Sequence, residues 1–181
     1  MNVIETDRLI LRTWRAEDAE AFYQLNQDPH VQEYLPFPWS RERATQFVAD
    51  MNERFAQHRY TLWAVEEKAS GEFIGFVGFQ AVIAPFPCAP AIEIGWRLAY
   101  PYWGRGYATE AAKACLEYGS TVLGLREIVS FTTVPNVRSR RVMEKIGMHQ
   151  VVGADFMHPR LAPEHPLALH VLYKIELKTS G

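Results

Sequence analysis

Cysteine is scarce in this chain: its 181 residues include only two, Cys88 and Cys115. Two thiols at this separation form neither a disulfide framework nor a zinc motif, so we expect an intracellular, cytoplasmic protein. Charge of one sign is also lacking, because the net charge is −2. A chain so nearly neutral has no overall field that would draw it to nucleic acid or to a membrane.

Long apolar runs and metal-binding patterns are absent as well. No apolar stretch approaches the roughly 20 residues that a membrane-spanning helix needs, and the polar, acidic first residues are unlike a signal peptide. The six histidines show neither H-x-x-x-H nor H-E-x-x-H spacing, so we predict no metal site. The chain does have 48% hydrophobic residues, enough for a full core, and we expect one domain covering residues 1–181.

The most informative segment is 103–112, with the sequence WGRGYATEAA. It separates the strand-like run 92–98 from a helix-like run that continues to about Val122. Glycines at the start of a helix leave backbone N–H groups uncovered, and the helix dipole adds partial positive charge there. The segment therefore predicts an anion site, most naturally for a phosphate or pyrophosphate.

Two common phosphate-binding motifs fail on residues that their chemistry requires. A dinucleotide fingerprint, G-x-G-x-x-G, needs a third glycine where Thr109 stands, and an acidic residue at the end of the next strand, which 128–133 lacks. A nucleoside-triphosphate loop needs Gly-Lys followed by Ser or Thr, which occurs nowhere in the chain. These residues argue against a nucleotide-dependent enzyme.

A third pattern fits. The segment resembles the acetyl-coenzyme A signature Q/R-x-x-G-x-G/A of the GNAT superfamily of N-acetyltransferases, as Trp103-x-x-Gly106-x-Ala108. Trp in the first position resembles the branch of the ribosomal-protein N-terminal, or Rim-type (RimJ/RimL), acetyltransferases. Segments 6–12, 136–148 and 158–173 resemble, in the same order, that family's first strand, its second conserved helix and a C-terminal loop and strand seen in part of the branch.

The order of predicted elements agrees with that family's architecture. Periodicity and turn residues predict strands at 9–14, 61–66, 73–81, 92–98, 128–133, 151–156 and 171–176, and helices at 16–26, 41–57 (capped by Ser40), 107–122 and 137–146. Alternating strands and helices in the C-terminal half imply some parallel pairing, and the middle implies antiparallel hairpins. We therefore expect an α/β (α+β) fold, with a mixed, mostly antiparallel central sheet and helices on both faces.

The resemblance implies acetyl-coenzyme A (acetyl-CoA) as the acetyl donor. Backbone N–H groups of the signature loop would hold the pyrophosphate, and a bulge in the preceding strand would offer backbone groups to the pantetheine arm. Asn136 would contact the pantetheine side, although it also suits a helix N-cap, and Arg141 would contact a phosphate. The implied coenzyme residues are Trp96, Arg97, Leu98, Gly104, Arg105, Gly106, Tyr107, Ala108, Thr109, Asn136, Ser139 and Arg141.

Glu93 is the candidate catalytic base. An amine of lysine-like pKa is mostly protonated at neutral pH, so a carboxylate that takes its proton assists attack on a thioester. Glu93 stands mid-strand between apolar residues, where a charge is costly unless it faces a wet cleft or has a partner. Alternation puts it on the same face as Gly95 and Arg97, so a structural ion pair with Arg97 or another cation is the other interpretation.

The departing thiolate needs a proton donor. Many GNAT enzymes use a Tyr one turn beyond the Ser139 position, but this chain has Met143 there, which has no proton to donate. Ser139 has a hydroxyl, and the resemblance to the Rim-type branch suggests it as the acid. Its structural interpretation is a helix Ser that bonds back to the preceding turn.

The acceptor is left open. Aromatic and histidine residues of two loops either line its site or pack on the core: Tyr34, Phe37, Trp39, Phe156 and His158. The resemblance implies direct transfer of the acetyl group to a primary amine, either a protein N-terminus or a small amine, by a monomer or homodimer. The alternative is a non-catalytic acyl-CoA sensor or interaction domain, which Met143 at the usual Tyr position would suit.

Overall fold

The computed structural model describes residues 1–178, and residues 179–181 of the predicted domain lie outside the described part. A 3₁₀ turn, Tyr100–Tyr102, follows the fifth strand. Along the described chain the strands and helices are β1 (Asn2–Glu5), β2 (Leu9–Arg12), α1 (Asp18–Gln27), α2 (Pro29–Gln32), α3 (Arg41–His58), β3 (Leu62–Glu67), β4 (Phe73–Val82), β5 (Ala91–Leu98), α4 (Tyr107–Thr121), β6 (Glu127–Thr133), α5 (Val137–Lys145), β7 (His149–Gln150), β8 (Phe156–Met157) and β9 (Leu169–Glu176).

All these strands belong to one sheet, in the order β1-β2-β3-β4-β5-β6-β9-β7, with β8 also paired to β9. β5 and β6 are parallel, and the other neighbouring strands are antiparallel. Helix α4 supplies the crossover that a parallel pair requires. The predicted mixed, mostly antiparallel sheet is therefore confirmed.

Helices cover both faces of the sheet, as predicted. Residues of α4 and α5 pack on one face with Ile94 and Ile128, and α1 and α3 pack on the other around Phe22 and Phe76. Because side chains alternate along a strand, β5 sends Ile94 to the first face and the side chain of Arg97 to the second. The sheet therefore separates the α4 side of the molecule from an aromatic cluster on the α1 side.

The parallel strands β5 and β6 separate towards their C-terminal ends. Their ladder contains the pair Glu93–Val129, and next to it the Ser130 hydroxyl donates to the carbonyl oxygen of Ile94 at 2.8 Å. Within the described chain, no ladder pair joins 95–98 to β6. This separation opens the middle of the sheet, and backbone groups of β5 lose a strand partner there.

Helix α3 is formed as the sequence predicts. The Ser40 Oγ accepts a hydrogen bond from the backbone N–H of Arg43 at 3.1 Å, which confirms the predicted N-cap. Ala44, Val48 and Met51 recur at helical spacing and are buried. The helix buries one apolar stripe against the α1 side of the sheet.

The prediction of a strand at 151–156 was wrong. The structure ends β7 at Gln150 and begins β8 at Phe156, and the residues between these two short strands include a turn. Val152 is 95% exposed and Gly153 has φ +79°, a left-handed conformation that breaks an extended strand. The short elements β1 and α2 were also missed, because four residues carry too little periodicity to identify either.

Candidate active site

The loop between β5 and α4 leaves the first amides of α4 uncovered. Gly104 and Gly106 have φ values of +72° and +79°, which residues with side chains rarely adopt. Gly106 is the N-cap of α4, and no side chain among residues 1–178 caps this helix. The N–H groups of Tyr107, Ala108 and Thr109 therefore have no helical partner and lie at the positive end of the helix dipole. This end of α4 can bind an anion.

Trp103, which stands where the usual signature has Gln or Arg, closes this loop. Its indole N–H donates to the carbonyl oxygen of Leu98 at 2.7 Å and so ties the loop to the end of β5. The Tyr100 ring meets it edge-on, with centroids 5.2 Å apart. The guanidinium carbon of Arg138 lies 5.0 Å from its ring centroid. Trp103 thus joins β5, the loop and α5.

Contacts from the β1–β2 hairpin also hold the loop. Glu110, in the first turn of α4, accepts hydrogen bonds from the Thr6 hydroxyl and from the Nε of Arg8, both at 2.6 Å. The Arg8 guanidinium also donates to the carbonyl oxygen of Arg105 at 2.9 Å. Because Arg105 lies between the two glycines, the loop conformation depends on a residue 97 positions away in the sequence.

A cleft of about 650 Å³ extends from this loop into the gap between β5 and β6. Arg105 does not line it: its side chain turns away, with the guanidinium 5.4 Å from the Tyr102 ring centroid and 3.8 Å from the Glu67 carboxylate. The predicted site residues that do line it are Glu93, Trp96, Arg97, Leu98, Gly104, Gly106, Tyr107, Ala108, Thr109, Asn136, Ser139 and Arg141. The fold therefore brings two distant sequence motifs to one cavity, while the role of each residue stays a prediction.

The backbone of β5 meets the cleft differently from the prediction. β5 pairs with β4 without a register shift, so the expected bulge is not formed. The backbone N–H of Ala99 donates to the carbonyl oxygen of Ile74 at 2.8 Å. By alternation the main chain of Arg97 is then bonded to β4, whereas the backbone groups of Trp96 and Leu98 face the gap. Trp96 can offer both backbone groups to a coenzyme arm, and Leu98 its N–H, because the Leu98 carbonyl oxygen already accepts the Trp103 indole N–H. Arg97 presents only its side chain.

Glu93 is buried in the cleft wall, with 8% of its surface exposed. Its Oε2 accepts a hydrogen bond from the Gln80 side-chain amide at 2.7 Å. Burial raises the pKa of the Glu93 carboxyl to about 7, and the hydrogen bond from Gln80 only partly opposes this shift. The alternative of an ion pair with Arg97 is not formed, because the Arg97 guanidinium donates to Asn26 Oδ1 at 2.8 Å instead. A carboxyl with this pKa can accept a proton at neutral pH.

Asn136 and Ser139 form a hydrogen-bonded pair at the start of α5. The Asn136 Oδ1 accepts the Ser139 backbone N–H at 3.3 Å, which confirms the N-cap. The Asn136 Nδ2 donates to the Ser139 Oγ at 3.1 Å and to the Thr132 Oγ1 at 3.0 Å. Because the Ser139 oxygen accepts here, its hydroxyl proton is free to donate into the cleft. Met143, at the family's Tyr position, is 1% exposed.

The basic residues of α5 divide between two directions. Arg138, Arg141 and Lys145 line the cleft. Arg140 instead donates to the backbone carbonyl oxygen of Val134 at 3.1 Å and holds the start of its own helix. Three of the four cations thus give the cleft a positive wall near the anion-binding end of α4.

A smaller cavity of about 140 Å³ opens beside the Arg97 side chain. Phe156, which was a candidate for the acceptor site, does not line it: the ring is buried against Phe131, with centroids 5.3 Å apart, because β8 packs it into a core cluster. Four other residues expected at the acceptor site do line it: Tyr34, Phe37, Trp39 and His158.

Sequence reasoning missed three contributions to the cleft: Gln80, Ser130 and the side chain of Arg97. Gln80 lies opposite Glu93 in the β4–β5 ladder, and Ser130 closes the last contact between β5 and β6. These roles depend on strand register, which the periodicity of a single strand does not contain. The local signal was a lone polar residue in the apolar strand Phe73–Val82.

Residues 1–178 contain neither a metal-binding cluster nor a membrane-spanning helix. No group of three or more His, Cys, Asp or Glu side chains is arranged to hold a metal ion within that range. None of the helices described is both long and apolar enough to cross a membrane.

Comparison with known proteins gives the family. The model of the acetyltransferase (GNAT) domain matches residues 8–149. Two proteins of Bacillus subtilis (strain 168), YkkB and the N-acetyltransferase YoaA, are 36% and 31% identical to this chain over 80% and 82% of its length, and over 83% of each relative. RimL, a ribosomal L7/L12 alpha-N-protein acetyltransferase solved in complex with coenzyme A, has a TM-score of 0.80 at 17% identity, covering 98% of both chains.

The RimL likeness shows a shared fold. The family itself rests on the domain model, because the match covers most of the chain and includes both the signature loop and the start of α5. GNAT acetyltransferases use acetyl-CoA, and the uncapped end of α4 lies inside the matched range. The protein is therefore a member of the GNAT family of acetyltransferases and an acyltransferase enzyme.

Proposed function

We propose that this enzyme is an acetyl-CoA-dependent N-acetyltransferase that moves the acetyl group directly to a primary amine. The observation that carries the proposal is the continuity of the cleft, which joins the uncapped end of α4, the free edge of β5 and the buried carboxyl of Glu93. Transfer without a covalent enzyme intermediate is favoured, because Cys115 is fully buried and burial raises the pKa of its thiol far above neutrality.

The residues of the cleft fit acetyl-CoA. The free amides of α4 suit a pyrophosphate, and Arg141 and Lys145 suit phosphate oxygens. The backbone groups of Trp96 and the backbone N–H of Leu98 suit the amides of a pantetheine arm, in the way a sheet edge accepts an added strand. Acetyl-CoA bound in this way supplies a thioester that a neutral amine can attack.

Glu93 provides the base in this proposal. An amine substrate arrives mostly as the ammonium form, which has no lone pair for attack. Glu93 takes the proton, directly or through one water molecule, and its raised pKa matches the carboxyl to operation near neutral pH. Its hydrogen bond from Gln80 fixes the direction of the carboxyl group in the wall.

Ser139 provides the proton for the departing sulfur. The Asn136 side chain donates to the Ser139 oxygen, so the hydroxyl proton is not used in that bond and is free to donate into the cleft. Thiolate is a fair leaving group, so we assign Ser139 a smaller share of the rate than Glu93. Met143 cannot replace it, since a thioether donates no proton.

The acceptor end favours a small amine, or a short N-terminal segment of a protein, over a broad folded surface. The segment 34–39 and Arg97 enclose the cavity of about 140 Å³ at this end. We propose that the enzyme acts as a monomer or homodimer over residues 1–181. We place it in the cytoplasm, a reducing compartment in which thiols such as Cys88 and Cys115 stay free.

A non-catalytic acyl-CoA sensor is the second candidate, and the observation that favours it is Met143. This buried thioether occupies the position of the proton-donating Tyr found in many relatives. A sensor would bind acetyl-CoA without turnover, and Glu93→Gln would change neither binding nor any rate.

The test combines calorimetry of acetyl-CoA binding with an assay of thiol release. Acetyl-CoA is titrated into the protein, and thiol release is then followed with a panel of N-terminal peptides and small amines. We expect saturable binding and release with one class of acceptor, and a strong loss of release in Glu93→Gln at unchanged acetyl-CoA affinity. Binding with equal, background release from both proteins would favour the sensor, and no binding would contradict both candidates.

A further inference from the structure

The Arg97 guanidinium occupies an unusual position, between the main cleft and the smaller cavity, and lines both. It lies among aromatic rings: its central carbon is 5.2 Å from the Trp39 ring centroid and 5.3 Å from that of Phe76. The Arg97 guanidinium donates a hydrogen bond to the neutral side-chain oxygen of Asn26 at 2.8 Å. The side chain is therefore held in place, but its charge is not neutralised by that partner.

A second cation stands nearby. Arg43 lines the same smaller cavity, stacks on Trp39 at 4.0 Å from the ring centroid, and donates to the carbonyl oxygen of Pro38 at 2.6 Å. Burial, and then the charge of Arg43, lower the pKa of Arg97 to about 9. Two guanidinium groups that share one aromatic ring repel each other, and burying one of them is costly unless an anion compensates.

The linings of the two cavities contain little that could compensate. Within residues 1–178, the smaller cavity is lined by no carboxylate, and the main cleft is lined by Glu93 alone. His158, in the smaller cavity, is neutral at physiological pH, because burial lowers its pKa to about 4. Its Nδ1 accepts the backbone N–H of Arg160, so its Nε2 carries the proton and is a further donor.

The spacing of Glu93 and Arg97 along β5 sets the distance between the proposed base and the cationic site formed by Arg97 and Arg43. Glu93 and Arg97 are four residues apart on one face of the strand, about 13 Å at ~3.3 Å per residue. After allowance for side-chain reach, an anion on Arg97 lies roughly 10 Å from an amine at Glu93, about the length of an extended tripeptide.

We infer that Arg97, assisted by Arg43, binds a carboxylate or phosphate group of the amine acceptor, at a distance of several bonds from the reacting nitrogen. This inference rests on the proposed function and narrows its substrate class to anionic amines. Arg97 is then a specificity-determining residue whose guanidinium offers the paired donors that such groups accept.

The test uses matched peptides that differ by one charge. Trialanine is compared with trialanine amide, and alanyl-phosphoserine amide with alanyl-serine amide, which separates carboxylate from phosphate recognition. For each, kcat/KM is measured by thiol release at saturating acetyl-CoA with the wild type, Arg97→Met, Arg97→Lys and Arg43→Gln. We expect one anionic peptide to exceed its neutral partner by about tenfold or more in the wild type, the value of a charge-assisted hydrogen bond.

The variants then assign the preference to its residue. Arg97→Met should reduce the ratio of anionic to neutral substrate to about one, Arg97→Lys should keep part of it, and Arg43→Gln should lower it less than Arg97→Met. Acetyl-CoA affinity should stay the same, because the Arg97 main chain is bonded within the sheet. Ratios near one in the wild type for both pairs, or a preference that persists in Arg97→Met, would overturn the inference.

Two further measurements distinguish a failure of the anion site from a failure of the proposed N-acetyltransferase function. Thermal unfolding shows whether Arg97→Met is folded, and if it is not, Arg97→Lys and Arg43→Gln decide. If no peptide releases thiol, the proposed function fails on these acceptors, and calorimetry of the same peptides with the coenzyme A-loaded protein still tests the site. Tighter binding of an anionic peptide, abolished by Arg97→Met and only weakened by Arg97→Lys, supports the site; equal binding of all four peptides rejects it.

Discussion

In the proposed function the cleft has a coenzyme half, formed by the loop 103–106 and the starts of α4 and α5, and an acceptor half, formed by the α1-side face of β5 and the segment 34–39. The coenzyme half presents mainly backbone N–H groups, freed by two glycines at positive φ. The acceptor half presents side chains, chiefly Glu93 and Arg97, among aromatic rings from several elements. One half therefore depends on local conformation, and the other on what surrounds each charged group.

This difference determines how each half responds to substitution. In the coenzyme half, an exchange that disturbs φ or the contacts behind the loop should weaken acetyl-CoA binding whatever the new side chain is. In the acceptor half, a nearly isosteric exchange of one ionisable group should leave binding of the coenzyme intact and change the rate, its pH dependence or the choice of amine. The following experiments test whether substitutions in the two halves have these different effects.

The largest effect is expected for Glu93→Gln. Removing a general base costs about 10²–10⁴-fold in rate, and acetyl-CoA affinity should not change. In the wild type, kcat/KM should rise with pH through a midpoint near 7, because only the ionised carboxyl accepts a proton. Rates are measured from pH 5 to 9 with a weakly basic amine, whose own ionisation lies below this range. The limb then reports Glu93 accepting the proton that the nitrogen releases as it attacks.

The variant itself provides the control for this pH profile. Glu93→Gln should lose the limb near pH 7 while keeping the dissociation constant for acetyl-CoA. If the limb persists in the variant, another group is the base and the assignment of Glu93 is wrong.

The second effect is on the free energy of unfolding, and its sign follows from the burial of the Glu93 carboxyl. Folding raises the pKa of Glu93 from 4.5 to about 7, so its protonated form is favoured in the folded protein. The stability linked to that proton is complete below pH 4.5 and is lost as pH rises through 7. Glu93→Gln avoids the loss, and its free energy of unfolding at pH 9 should exceed that of the wild type by an amount on the order of 3 kcal/mol.

Urea unfolding at pH 5 and pH 9 measures this gain. The exposed residue Glu117 offers a matched exchange, Glu117→Gln, which should give no comparable gain at pH 9. An equal gain at both pH values would mean that packing, and not ionisation, stabilises the Glu93 variant.

These two effects indicate why the acceptor half was harder to predict. The uncapped start of α4 was predictable because the glycines, the helix start and the preceding strand are contiguous in the sequence. The N-caps Ser40 and Asn136 were predictable from residue type and position. Glu93 was found because a charge within an apolar strand is costly. Its partner Gln80, however, is set by the β4–β5 register, and the Arg97 environment is set by α1 and the segment 34–39. Such long-range contacts leave no local period in the sequence.

The third prediction compares Gly104, which lies inside the coenzyme half, with Gly124, which lies outside it. Gly104 and Gly124 have φ of +72° and +65°, and a Cβ added at either would meet no atom within 4 Å. Gly104→Ala and Gly124→Ala should therefore destabilise the protein alike, each by about 1 kcal/mol. Only Gly104→Ala should weaken acetyl-CoA binding, by about tenfold or 1.4 kcal/mol, because its backbone belongs to the anion loop.

Calorimetry and urea unfolding of both variants separate the two costs. Equal loss of coenzyme affinity at Gly104 and Gly124 would mean that general destabilisation, rather than the loop conformation, controls binding. That result would remove the distinction drawn for the coenzyme half.

The smallest effect on coenzyme binding is expected for Glu110→Gln, because Glu110 acts on the loop only through the side chain of Arg8. Glu110→Gln removes the charge that holds Arg8, and since Arg8 is 45% exposed the stability cost should be under about 1 kcal/mol. The Arg8–Arg105 contact should loosen with it, raising the dissociation constant of acetyl-CoA by about two- to threefold, the size of a weak ion pair. Glu20→Gln breaks another exposed ion pair, with Arg41, and neither of these residues lines the cleft or the smaller cavity. Calorimetry should find weaker coenzyme binding in Glu110→Gln alone, and an equal shift in both variants would show that the hairpin does not hold the loop.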